Sequence, residues 1–385
     1  MYLSFGAETV MKILEANGFS SFAVGGCVRD SVMGKTADDF DITTDAETDD
    51  MLRIFSSFKT IGTGIKHGTV CVMVEKEKVE VTTYRIDGKY SDSRHPDSVT
   101  FSKNLSDDLS RRDFTINALA CSLGGEIIDL FGGKDDIKNK IIRTIGKPSD
   151  RFNEDALRIL RAMRFSSCLN FTIENETKKS INENCFLLKN IAKERITSEI
   201  TKMIAGDNIK YVLDNFTEVF KEIFPKIQIS DGLKEKISAS PKDIHTRIFL
   251  LFSESDNFSE CLLNLKLSKK DNGIILNLSK MKEPKNKTDI KFLLNEFAEE
   301  STKKYIDLLS DSSLKEAFRQ ITENNECFSL KQLPINGEDL KNLGFRGKEI
   351  SRSLGLILSE VIRGNLNNDR DDILSYSENL HTHNL

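Results

Sequence analysis

Two aspartates separated by one residue, Asp39 and Asp41 in the run DFDITT, are the first candidates for chemistry. If the run is a strand, side chains two apart share a face. Two carboxylates so placed repel each other unless a cation sits between them. Hard oxygen ligands of this kind suit Mg²⁺, which keeps waters and shares substrate phosphates. Alone, the pair reads more simply as an acidic turn, but its neighbours add to it. Just upstream lies VGGCVRD, residues 24–30. A strand is expected to end at Val24, and a helix to start at Cys27. Gly25 and Gly26 let backbone approach a ligand closely. The helix start offers free N–H groups to a phosphate, Arg29 adds a guanidinium fork, and Asp30 can pair with a neighbouring base. A glycine turn and helix followed by a paired-aspartate strand point to metal-assisted nucleotidyl transfer.

Two further runs carry candidates. In RRDFTINALA, residues 111–120, Arg112 can hold a phosphate, and Asp113 and Asn117 can hold ribose hydroxyls. The apolar pattern predicts a helix over about 107–118, with Asp113 and Asn117 on one face. In NEDALRILRAMRF, residues 153–165, Asn153 reads as an N-cap with Glu154 and Asp155 in the first turn. At 100° per residue Ala156, Ile159, Leu160 and Met163 share a buried face. Arg158, Arg161 and Arg164 sweep the opposite one. Such arginines make an ordinary solvated face or read a nucleotide. Asp155 can accept from an exocyclic amine while Arg158 donates to a ring acceptor. Cytosine and adenine both present that pair of groups, so one Asp–Arg pair can accept both and reject guanine and uracil.

These residues need a scaffold. The chain has 385 residues, 38% hydrophobic and 30% charged, with 6 prolines and no tryptophan. That suits two or more globular domains and excludes collagen-like, disulfide-scaffold and wholly disordered chains. No apolar run reaches the ~18–20 residues of a membrane span, so no membrane partner is expected. The first 22 residues read as an amphipathic helix, not a signal peptide. The 7 cysteines stand singly with no CxxC pair, which suggests neither zinc nor disulfides. Reduced thiols in a cytoplasmic protein are the plain reading. Residues 1–150 hold 19 basic and 24 acidic residues, and the remainder is balanced.

Residues 1–150 contain short β-rich runs separated by glycine turns, with helices near 6–17, 27–34 and 47–56. The βαβα alternation of a doubly wound fold is missing. The expected class is α+β, with a small mixed or antiparallel sheet. After Pro148 the strand signals nearly vanish, and 151–385 reads as almost all helix. The expected divisions are a catalytic head over 1–150, a helical neck over 151–205, a body over 206–285 and a tail over 286–385.

Taken together, GGCVRD with DFDITT, RRDFTINA, EDALR and ERITSE (194–199) resemble the class II CCA-adding enzymes, the bacterial-type tRNA nucleotidyltransferases. The resemblance spans essentially the whole chain. It implies a nucleotidyltransferase-superfamily head followed by an elongated helical neck, body and tail. It implies Asp39 and Asp41 as catalytic ligands of Mg²⁺. Gly26, Arg29, Arg112, Asp155, Arg158, Arg161 and Arg164 become nucleotide contacts, and Asp113 and Asn117 match the sugar-handling motif. Glu194, Arg195 and Glu199 match the motif that braces the nucleotide-reading helix. The segment LPINGEDLKNLGF, 333–345, resembles the family's C-terminal domain, implying contact with the tRNA elbow. The implied activity adds C, C and A to the 3′ end of tRNA from CTP and ATP without a template, releasing pyrophosphate.

The related bacterial poly(A) polymerases share the head. TIGTGIKHGTVCVMV, residues 60–74, resembles the CCA-adding group, and no long basic extension closes the chain. The polar run YRIDGKYSDSRHPDS, 84–98, reads as a mobile loop with Arg85 and Asp87 as working charges. It resembles the loop that enzymes adding only CC lack, and leaves full CCA or A-only addition open. An inactive tRNA-binding protein is a further alternative. Glu80 is a candidate third carboxylate. No HD-type metal signature occurs in the C-terminal half, and monomer or homodimer stays open.

Overall fold

The computed structural model describes residues 3–37, 39–62, 64–88 and 98–382. The chain forms two compact units, Met1–Ser238 with Glu254–Lys266, and Ala239–Ser253 with Leu267–Leu385. Among the described residues no helix is long and apolar enough to cross a membrane.

The first unit opens with α1 (Phe5–Ala16). Ser4 caps it by accepting from the Ala7 amide at 3.1 Å, and the Glu77 carboxylate accepts from the Gly6 amide at 2.9 Å. Ala7, Val10, Met11 and Leu14 recur at helical spacing and are fully buried. Each large apolar side chain removed from water in this way stabilises the fold by roughly 1.5–3 kcal/mol.

Seven strands form the main sheet, in the order β3–β4–β5–β2–β1–β8–β9. They are β1 (Ser21–Val24), β2 (Asp41–Thr44), β3 (Lys59–Ile61), β4 (Thr69–Val74), β5 (Glu77–Thr83), β8 (Leu119–Cys121) and β9 (Ile127–Asp129). β6 (Arg85–Asp87) and β7 (Val99–Phe101) make a separate hairpin. The β2–β5 pair is parallel and the other pairs are antiparallel, so the sheet is mixed. Its register decides where chemistry can happen. Val24 at the end of β1 pairs with Asp41 at the start of β2 and with Ala120 on β8. Antiparallel pairing therefore places the glycine turn after β1 beside the aspartates before and at the start of β2. The helix after that turn is α2 (Gly26–Val32), and α3 (Thr48–Ile54) follows β2.

Two expectations are corrected. The helix expected over 107–118 ends early: α4 spans Leu105–Ser110, and Thr115–Asn117 form a separate 3₁₀ turn. The cause is tertiary. The Thr115 amide donates to the Arg143 carbonyl, and the Ile145 amide to the Asp113 carbonyl, so strand-like pairing with 143–145 overrides helix propensity. Next, Asn153 is not an N-cap. It lies inside α6 (Pro148–Glu154), which ends at Asp155, and α7 (Leu157–Leu169) then begins. The extended Asp155 accepts from the Leu157 amide at 3.0 Å, a local side-chain bond that competes with continuous helix. Residues 151–385 are almost all helix, as expected, with one short strand among the described residues. Thr172–Ile173 pairs in parallel with Ile141–Ile142.

Within the run 84–98 Arg85–Asp87 form β6; residues 89–97, with most of the expected loop, lie outside the described residues. The rest of the first unit is helical, including α5 (Gly133–Asn139), α8 (Asn175–Asn184) and α9 (Lys193–Ile204). On α7 the expected stripe holds: Ala156, Ile159, Leu160 and Met163 are fully buried.

The second unit is helical. One of its cores gathers Ile290, Leu294, Ile306, Leu314, Phe318 and Ile321. Another gathers Leu333, Ile335, Leu340, Phe345, Ile357 and Ile362. The segment 333–345 supplies four members of that second core. Its helix Gly337–Asn342 is closed by a capping box between Asn336 and Asp339.

Candidate active site

The register places Gly25 at the rim of a pocket of about 370 Å³, lined by Gly25, Gly26, Arg29, Asp41, Arg111, Arg112, Asp113, Asn117, Asp155, Arg158, Arg161 and Phe165. Gly25 has φ +78° and ψ −129°, a conformation that side chains rarely adopt. A Cβ there would also lie 3.0 Å from Arg112 Nη1. The positive φ favours glycine, and a side chain there would also push the end of Arg112 aside.

β2 begins at Asp41, so Asp39 precedes the strand. The alternation extends back to it nonetheless: Asp39 and Asp41 are exposed while Phe40 and Ile42 are buried. Although Asp41 keeps contact with solvent, partial desolvation by the surrounding pocket wall pushes its carboxyl up, as do the Glu80 and Asp39 charges, against the pull of Arg112. Glu80 is the register partner of Asp41 on β5. Crowded carboxylates of this kind suit a divalent cation. Among the described residues no three His, Cys, Asp or Glu groups gather into a metal site. Asp39 and Asp41 fit an ion that takes its other ligands from water and substrate, as Mg²⁺ commonly does.

The side chains of the pocket wall form a bonded network. Arg29 donates from Nε and Nη2 to the Asp30 carboxylate at 2.9 and 3.0 Å, and from Nη1 to Asn117 Oδ1 at 2.8 Å. Asn117 in turn donates to Asp113 Oδ1 at 3.0 Å, so the two come together although no helix joins them. Asp113 Oδ2 accepts from Arg161 Nε at 2.7 Å. Burial alone would push the Asp113 carboxyl up; the Arg161 charge and the Asn117 bond instead bring it down to about 2.

The three arginines of α7 each meet a carboxylate: Arg158 meets Glu154, Arg161 meets Asp113 and Arg164 meets Glu199, at 2.5 Å each. They are not a solvated face. Phe165 lies beneath three guanidiniums, with Arg164 at 4.1 Å from the ring centre and Arg29 and Arg161 at 5.3 Å each. Such contacts favour cations over an aromatic face. Arg195 on α9 holds Asp155 Oδ2 at 2.9 Å. With Glu199 on Arg164, two members of ERITSE bond to the α7 region, while Glu194 is exposed.

Of the expected residues, Gly26, Arg29, Asp41, Arg112, Asp113, Asn117, Asp155, Arg158 and Arg161 line one pocket. Asp39 and Arg164 do not. Arg111, Phe165 and the buried Asp108 went unassigned in the sequence. Asp108 sits three and four residues before Arg111 and Arg112, a helical spacing that could have revealed it.

Three family models match the chain. One is described as Poly A polymerase head domain, over residues 21–143. The second is described as Probable RNA and SrmB- binding site of polymerase A, over 170–229. The third is described as tRNA nucleotidyltransferase domain 2 putative, over 240–376. The chain is 36% identical to the CCA-adding enzyme of Lactobacillus helveticus, over 97% of the chain and 96% of the relative. It resembles the crystal structure of the Bacillus stearothermophilus CCA-adding enzyme in complex with CTP, with a TM-score of 0.83, 29% identity and coverage of 100% and 99%. It shares the fold of the Thermotoga maritima CCA-adding enzyme complexed with tRNA, at a TM-score of 0.72, 21% identity and coverage of 98% and 94%.

Proposed function

Because the chain belongs to the family of CCA-adding enzymes, we propose that it adds C, C and A to the 3′ end of tRNA, using CTP and ATP and no nucleic-acid template. The observation that carries this reading is the single pocket. It places the arginines of GGCVRD and RRDFTINA, the Asp41 carboxylate and the Asp155–Arg158 pair around one space.

The tRNA 3′-hydroxyl oxygen attacks the α-phosphorus of the nucleotide. A new P–O bond forms, the bond to the β-phosphate bridge breaks, the hydroxyl proton passes to solvent and pyrophosphate leaves. Asp39 and Asp41 would hold Mg²⁺, which supplies activation of the hydroxyl and neutralisation of the leaving charge. Arg29 and Arg112 face the triphosphate; Arg112 Nε is buried without a hydrogen-bond partner, a donor suited to an arriving acceptor. Asp113 and Asn117 lie on the sugar side and orient Arg161 and Arg29. Asp155 accepts from the exocyclic amine of cytosine or adenine, and Arg158 donates to the neighbouring ring acceptor. Arg195 and Glu154 hold those two reading groups, so the protein surface stands in for a template base. Arg164 supports the same helix from outside the pocket.

The head over 1–150 is assigned the chemistry, and 151–205, 206–285 and 286–385 the neck, body and tRNA-elbow-binding tail. The 7 free cysteines support a cytoplasmic setting. The test is pyrophosphate release. With Mg²⁺, CTP and ATP, release must begin when tRNA lacking its 3′ CCA is added. No release in the presence of such tRNA would contradict the proposal.

A further inference from the structure

Asp108 is fully buried near the end of α4 and does not line the pocket. Its two oxygens divide two arginines that do. Oδ1 accepts from Arg111 Nε at 3.0 Å and Nη2 at 2.6 Å, and Oδ2 accepts from Arg112 Nη2 at 3.1 Å. Both arginines lie beyond the last residue of α4, where the helix no longer fixes them. We propose that Asp108 is a positioning residue for nucleotide binding, a single buried carboxylate that sets Arg111 and Arg112 to receive the nucleotide's phosphates. The proposal rests on the nucleotidyl-transfer reading above.

Charge and geometry support it. Burial would push the Asp108 carboxyl up, but the Arg112 and Arg111 charges bring it below the usual carboxylate range. It is therefore ionised, and one negative charge faces two positive ones. Asp87 also lies near Arg111, so the donor left for a polyphosphate is the unbonded Nε of Arg112. Arg112 is fixed at Nη2 by Asp108, its Nη1 stands over Gly25, and its Nε stays unbonded. A clamp at one end thus leaves a buried donor at the other.

Arg111 extends the arrangement. Its Nη1 lies 3.7 Å from Asp87 on β6, and its carbonyl accepts from Arg158 Nη2 at 3.1 Å. One carboxylate therefore orders a segment that touches the phosphate side, the β6–β7 hairpin and the base-reading arginine. Without it, a long side chain must be immobilised when the nucleotide binds, a cost that weakens binding roughly tenfold.

The test compares wild type, Asp108→Asn, Arg112→Ala and the double variant in full-length protein, with melting temperatures recorded. KM and kcat are measured for CTP and for ATP on tRNA substrates. Asp108→Asn is expected to raise both KM values about tenfold with little change in kcat, because both nucleotides carry the same triphosphate. In the Arg112→Ala background the same change should add less than it does alone, since only Arg111 is left for the carboxylate to position. Unchanged KM values, or a double-variant penalty equal to the product of the single ones, would overturn the proposal. If Asp108→Asn fails to fold, Asp108→Glu carries the test: the displaced carboxylate must raise both KM values, and unchanged values would overturn it. Direct titration of each protein with CTP gives the same comparison without turnover. A wild type that binds CTP but transfers nothing would overturn the enzymatic reading alone.

Discussion

Arg161 and Asp113 form a partly buried ion pair in the wall of the pocket, with Arg161 Nη2 at 2.5 Å from Asp113 Oδ2. The two residues lie 48 apart in sequence, and the pair joins the RRDFTINA segment to α7. Asp113 also accepts from the Phe114 amide at 2.9 Å and from Asn117, so its carboxylate is fully occupied.

A pH dependence follows from that occupation. A carboxyl held at about 2 in the fold and near 3.9 when unfolded contributes stability above pH ~4. That contribution, roughly 2 kcal/mol, fades as pH falls toward 2. Urea unfolding of wild type and Asp113→Asn between pH 5 and 2 checks it. The variant should be less stable at pH 5, and the gap should shrink with acid. A constant gap would contradict the assignment.

Replacing either exposed aspartate at the head of β2 should remove catalysis and spare the fold. Asp39→Ala and Asp41→Ala are expected to lower nucleotide incorporation by three or more orders of magnitude, an effect of several kcal/mol. Binding of tRNA, measured by filter retention, should change little. Substantial activity in either variant would remove it from the cation site.

Base choice makes a separate prediction. Arg158→Ala should cut the preference for CTP and ATP over GTP and UTP by roughly 10- to 100-fold, the worth of a charged hydrogen bond. Its tRNA affinity should stay within a few-fold of wild type. Competition assays with all four nucleotides read this directly, and an unaltered preference would refute the role.

Gly25→Ala tests the turn itself. The positive φ costs an alanine about 1–3 kcal/mol, and its Cβ meets Arg112 Nη1 at 3.0 Å. Stability and nucleotide affinity should fall together. An alanine variant with wild-type melting and KM would show that the turn tolerates a side chain.

Much of this site was legible because its residue types are tied to short-range geometry. The Asp39–Asp41 alternation, the glycine turn and the buried stripe of Ala156, Ile159, Leu160 and Met163 depend on neighbours in sequence. The helix breaks were not legible. Asp113 and Thr115 pair with 143–145, and no local pattern announces a partner 30 residues away. The break at Asp155 depends on one side-chain bond to the Leu157 amide, against a helical pattern that runs through it. Phe165 looked like one more apolar residue of α7, and only the fold brings Arg29 over its ring. The arginines of α7 were seen as a group, but their carboxylate partners come from three other segments.

The central claim is that one pocket selects C twice and then A. Three tRNA transcripts, ending before CCA, after C and after CC, test it most directly. Each is incubated with protein, Mg²⁺ and CTP, ATP or both, and resolved at single-nucleotide resolution. The expected result is two additions with CTP and a third only when ATP is present. Addition of ATP to the CC-ended transcript alone, or a long ladder of A residues, would contradict it.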